Sequence, residues 1–157
     1  MDTALYKVVL VIHIVSVALW LGSNLSMGLG SGKAVGASNE VNAWWAGVQG
    51  YLGRTLKNAA FALLLVTGIV MVIASDDAIK FSAPFVSLGF LVVIIGGALG
   101  GMGFAPGCRK IADAFGKGDV AEGKANIDKL GMVGAAESLL VVITILFMVF
   151  KWGGWGS

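Results

Sequence analysis

Four nearly uncharged apolar runs, over residues 4–28, 56–75, 83–104 and 131–152, constrain this chain more than any other feature. A helix needs about 20 apolar residues to cross the hydrocarbon core of a bilayer, and each run meets or approaches that length. The expected fold class is therefore all-α: an integral membrane four-helix antiparallel bundle, one domain over residues 1–157. Apolar residues make up 57% of the chain and charged residues only 13%, against about a quarter charged in soluble domains. No single core of this size hides so much apolar surface, so membrane lipid is the first partner. Val35-Gly36-Ala37 faintly resembles a small-residue cleavage site. The first run is too long for the apolar segment of a signal peptide, however, and reads as a true span.

The basic residues orient the bundle. The stretches after spans 1 and 3 hold Lys33, Arg54, Lys57, Arg109, Lys110, Lys117, Lys124 and Lys129. The two ends and the loop over 76–82 hold only Lys7, Lys80 and Lys151. Basic excess marks the cytoplasmic side, so both termini are expected on the outer face. The net charge of +2 is too small to suggest nucleic acid as a partner, and these residues flank spans, where anchoring explains them. Within 39–55, Trp44, Trp45, Val48, Tyr51 and Leu52 recur at helical spacing. They predict a short amphipathic helix lying at the cytoplasmic interface, with its aromatic rings at headgroup level. Residues 107–130 alternate in charge and predict a solvated cytoplasmic loop that extends spans 3 and 4, broken near Gly116-Lys117-Gly118. Cys108 is the single cysteine and makes neither an internal disulfide nor a metal site.

Few residues can carry chemistry. His13, the only histidine, lies inside the first run, and His13, Ser16, Trp20, Ser23, Asn24 and Met27 share one helical face. Such a polar stripe must face other helices or a wet cavity, because hydrocarbon offers no hydrogen-bond partner. His13 is then a haem ligand, a copper ligand, a proton relay, or a neutral ring bonded to Thr67 or Thr144. Met71, at a similar depth, is the second axial ligand available within the chain, and a second copy's His13 in a two-fold dimer is its rival. Glu137 lies about two turns into the fourth run, where an unpaired charge is expensive. Lys57 and Arg54 are the basic residues able to reach it. A structural ion pair and a proton-carrying or quinone-binding carboxylate are both open. Gly96/Gly100 and Gly97/Gly101 form two overlapping small-xxx-small registers. They suit packing against a bulky neighbour such as Trp20, a dimer seam, or a flat macrocycle. The scattered methionines share no spacing and read as filler rather than a copper site.

His13-Ile-Val-Ser-Val-Ala-Leu-Trp20-Leu-Gly22, with Thr67-Gly68 and the closing Met148-Val-Phe-Lys151, resembles small four-span bacterial membrane proteins. These are the copper-resistance-protein-D-like integral membrane family and a related group of unknown function. The first span is also similar to that of the membrane-bound, haem-containing protoporphyrinogen oxidases, whose first-span histidine ligates haem. The resemblance implies a bacterial inner-membrane location, haem b as the cofactor, and His13 as its ligand. Copper handling is the other chemistry it implies. Whether the chain is an enzyme stays open. The alternative class is a non-catalytic accessory subunit, packed as a homodimer or in a larger membrane complex through its glycines and aromatic loop.

Overall fold

The computed structural model describes residues 3–75 and 78–151, with Thr3 and Gly101 described through their backbone alone. Asp76 and Asp77 of the second loop, and Trp152 at the expected end of the fourth span, lie outside the described residues. The helices are α1 (Thr3–Ala34), α2 (Asn39–Leu52), α3 (Asn58–Ile73), α4 (Pro84–Ala98), α5 (Ala105–Gly116) and α6 (Val120–Phe150). Two π turns, Gly53–Lys57 and Leu99–Phe104, weld α2 to α3 and α4 to α5. The chain therefore forms four rods of 32, 35, 33 and 31 residues. At about 1.5 Å per residue each rod exceeds the roughly 30 Å of a hydrocarbon core. Among the described residues, four helices are long and apolar enough to cross a membrane, which makes this a small multi-pass integral membrane protein.

Short connections force successive rods to run antiparallel. In the membrane-length part, α1 packs on α3 and α6, and α4 packs on the same two from the other side. One end of the bundle gathers the start of α1 and the end of α6 (the terminal end), and the other gathers α2, α5 and the start of α6 (the loop end). The starts and stops follow local chemistry. Ser38 accepts the Val41 N–H at 3.4 Å, and Asp119 accepts the Glu122 N–H at 3.0 Å, satisfying otherwise orphaned first-turn donors. Pro84 occupies the first turn of α4, where its missing N–H costs nothing. Gly118 takes φ 77° in the tight α5–α6 turn, a conformation that favours glycine. The second π turn ends just before Pro106, whose ring and missing N–H disrupt a regular α ladder.

The loop end differs from its sequence-based expectation. The helix over 39–55 does not stand apart, because it is the first part of a continuous 35-residue rod. The stretch over 107–130 does extend spans 3 and 4 and breaks at the expected Gly116-Lys117-Gly118, but as α5 and the start of α6, packed helices rather than a solvated loop. Cys108, Ile111 and Phe115 fall on one face of α5, opposite the exposed Arg109, Lys110 and Asp113. Ile111 and Phe115 pack with Ala46 of α2. Two half-apolar helices cover each other's faces, which removes more surface from water than either does alone.

The core forms layers along the axis. Met27, Phe104 and Cys108 pack near the loop end. Trp20, Phe61, Leu64, Val92 and Val141 fill the middle, with Trp20 edge-on to Phe61 at 4.6 Å. Val72, Phe85 and Val86 close the terminal end. The polar stripe of α1 turns inward: Ser16, Trp20, Ser23 and Met27 are buried, while Val8, Val11 and Val15 are exposed. Ser16 and Ser23 donate to the Ile12 and Leu19 carbonyls of their own helix, so neither hydroxyl proton is left for a relay.

Candidate functional site

Between the middle and terminal-end layers lies a cavity of about 530 Å³. All four membrane-length helices line it, almost entirely with apolar side chains, and His13 is its one imidazole. The His13 Nδ1 lies 2.8 Å from Thr67 Oγ1. Thr67 Oγ1 is also 2.5 Å from the Leu63 carbonyl oxygen, which takes its single proton. A hydroxyl with its proton committed can only accept, so Nδ1 carries the ring hydrogen and donates to Thr67. The lone pair is then on Nε2, which has no protein partner among the described residues. Gly68 lies beside the ring, where a Cβ would make only ordinary contact, 3.8 Å from His13 Cε1 and 3.7 Å from Phe90. Met71 and Met148 line the same cavity, as do Tyr6 and Lys151 near the terminal end. Thr144 is on the wall too, but its hydroxyl donates to the Leu140 carbonyl, and it is Thr67 that holds the histidine.

A second constellation sits one layer deeper, toward the loop end. Lys57 Nζ donates to Glu137 Oε2 at 2.8 Å with both side chains almost wholly buried. Asn24 Nδ2 donates to the same oxygen at 3.0 Å and lies 3.3 Å from Ser138 Oγ. Helices α1 and α6 and the π turn ahead of α3 are thus tied at one carboxylate. The ammonium also lies 4.8 Å from the Phe104 ring and 5.8 Å from Phe61, aromatic faces that favour a desolvated cation. Among the described residues the other oxygen, Oε1, has no hydrogen-bond partner, and neither does the indole nitrogen of Trp20.

Of the residues that the sequence singles out, Lys57, Glu137 and Asn24 come together, and His13 and Met71 share the cavity. Arg54 does not join the carboxylate: it is exposed, and its Nε donates to Gly50 in its own rod. One turn separates Arg54 from Lys57, and the inward face of the π turn belongs to Lys57. Gly96 seats Trp20, with a Cβ there falling 2.5 Å from Cζ2, and Gly100 seats Phe61 at 3.1 Å. Gly97 has only ordinary contact with Phe61, at 3.9 Å, and the surroundings of Gly101 lie outside the described residues. Sequence reasoning missed the orientation of Thr67, the partner role of Ser138, and Gln49. The Gln49 amide donates to the Met27 carbonyl at 3.0 Å and to Ser31 at 2.8 Å. A glutamine on the buried face of an amphipathic helix was the available signal.

Among the described residues, no three His, Cys, Asp or Glu side chains assemble as a metal-binding group. The metal-binding capacity of the cavity is one imidazole and the thioethers of Met71 and Met148. Comparison of the chain with protein families, with curated proteins and with solved structures finds no match, so any function must be argued from these two sites.

Proposed function

We propose that this protein is an accessory subunit of the bacterial inner membrane, with both termini on the outer face, that holds haem b through His13. One observation carries the reading: Thr67 fixes His13 by Nδ1 and leaves the Nε2 lone pair on a ring that lines an apolar cavity. A metal-binding imidazole is typically oriented in this way, by donating its other N–H to a fixed oxygen. The volume of about 530 Å³ lies within the roughly 300–1,000 Å³ of cofactor sites.

The residues present fit the group. His13 would ligate the iron, and Met71 or Met148, which line the same cavity, would offer it a thioether. Tyr6 adds a hydroxyl to the otherwise apolar lining near the terminal end. Haem, when bound, supplies one-electron iron chemistry. The chain contributes orientation through Thr67 and exclusion of water by the apolar walls. The first-span likeness to haem-containing oxidases supports the same residue.

Protein purified from haem-supplemented cells tests this reading. The expected result is a Soret band that His13→Ala abolishes and Thr67→Val weakens. A wild type without haem, or haem retained in His13→Ala, ends the haem reading. Stoichiometric copper in the wild type would replace it with the copper one, and a bare protein spectrum without metal would leave a packing subunit.

A further inference from the structure

Trp20 stands between the two buried sites. Its ring helps line the cavity, and its far edge rests on Gly96 beside the Glu137 carboxylate. A Cβ on Gly96 would lie 2.5 Å from Trp20 Cζ2 and 3.3 Å from Glu137 Oε1. The Cζ2–Cη2 edge of the indole and the carboxylate oxygen thus approach the same glycine, and Cζ2 is two bonds from the indole nitrogen.

Both residues are more than nine-tenths buried, Trp20 at 2% exposure and Glu137 at 4%. Each ends in one unpartnered polar atom: a donor without an acceptor at Nε1, and an acceptor without a donor at Oε1. A buried orphan carries its full desolvation penalty, and native structures keep few of them. These two orphans are complementary, and both are sealed from solvent. The surroundings are also unusual. Lys57 ends one π turn and Phe104, whose ring its ammonium faces, ends the other. A π turn carries one residue more than the α-helix that it interrupts, and such turns recur at functional sites.

We propose that Trp20 couples the cavity to the ion pair: an occupant of the cavity turns the indole within the notch that Gly96 leaves, and Nε1–H then donates to Glu137 Oε1. Trp20 is in this sense a positioning residue. Coupling is reciprocal, so the carboxylate that gains a partner favours the filled cavity by the same factor. The inference rests on the cavity of the proposed haem site but not on haem.

Xenon, which enters dry apolar cavities, separates the two. The full chain is placed in lipid nanodiscs with isotope-labelled tryptophan, and the Trp20 indole resonance is assigned by its loss in Trp20→Phe. Xenon NMR should report uptake, and the Trp20 indole proton should move downfield as a hydrogen-bonded N–H does, while those of Trp44 and Trp45 stay. In the double variant Lys57→Met/Glu137→Leu, which leaves no buried charge unpaired, xenon should still enter but leave the Trp20 proton unmoved. Its affinity there should fall about fivefold, the low end for coupled sites. A Trp20 proton that stays still while xenon fills the wild type overturns the coupling, as does one that moves equally in the double variant. Absence of xenon uptake by the wild type overturns it too, since the indole then has no responsive space beside it. The wild-type arm decides alone if the double variant fails to fold. A protein that binds no haem yet shows the xenon response loses the haem reading and keeps the coupling.

Discussion

Glu137 Oε2 accepts from Lys57 at 2.8 Å and from Asn24 at 3.0 Å, and this single atom joins two spans to the start of a third. Removing one partner of a buried ion pair leaves the other charged and unpaired, at a cost of about 3–5 kcal/mol. Glu137→Ala should therefore lower the thermal midpoint of the detergent-solubilised protein steeply. Lys57→Met/Glu137→Leu should stay near the wild type, because removing both charges also removes their desolvation penalty. Arg54→Ala, on the exposed face, should move stability by less than about 0.5 kcal/mol. Thermal unfolding followed by circular dichroism checks all three, and equal small shifts for Glu137→Ala and Arg54→Ala would sink the pairing. At this scale His13, Glu137, Asn24 and Lys57 were legible, because a polar side chain inside an apolar run must find a partner. The choice of Lys57 over Arg54 was not, since it depends on which face a π turn presents. The tautomer of His13 was equally hidden, because it follows from a hydroxyl proton spent on the Leu63 carbonyl of another helix.

The long elements follow from apolar run length, whereas the joints between them do not. A π turn has no residue signature, and Gly53 and Pro106 mark these two only in hindsight. Gly53 gives way to the Phe104 ring, which a Cβ there would meet at 3.0 Å, and Pro106 disturbs the ladder behind it. The amphipathic stretches around Trp45 and Ile111 were readable as a helix and as a charged extension, but nothing in either says that the two cover each other. The glycines of the α4 rod are equally ambiguous in sequence and separate clearly in space. Gly96→Ala drives a methyl into Trp20 and should cost about 1–3 kcal/mol, as overpacking does. Gly97→Ala meets Phe61 only at ordinary contact, 3.9 Å away, and should gain up to about 1 kcal/mol from the better helix former. Opposite signs from two adjacent glycines are the expected outcome in thermal unfolding. Equal losses would mean that the run packs on something other than Trp20.

At the scale of the whole molecule, four antiparallel rods put the two ends of the chain on one side of any membrane they cross. Each rod has about 31–35 residues, some 17–23 Å more than a roughly 30 Å hydrocarbon core needs at 1.5 Å per residue. The surplus gathers at the loop end, where α2, α5 and the start of α6 pack and where Arg109, Lys110, Lys117, Lys124 and Lys129 are exposed. Moving so many basic groups across the bilayer is disfavoured, and short cytoplasmic segments retain them. The loop end is therefore expected in the cytoplasm. Single cysteines at Lys117 and at Ala78 test this in intact cells with a membrane-impermeant maleimide. The native Cys108 is buried and is replaced by serine only if it labels in the unmodified protein. Ala78→Cys should react from outside, and Lys117→Cys should react only after the membrane is opened. The reverse pattern would invert the molecule and put His13, near the terminal end of α1, in the cytoplasmic half, so that haem would reach the cavity from the opposite side. Labelling of both sites in intact cells would show that the surplus does not stay on one face, and would break the link drawn between charge, rod length and orientation.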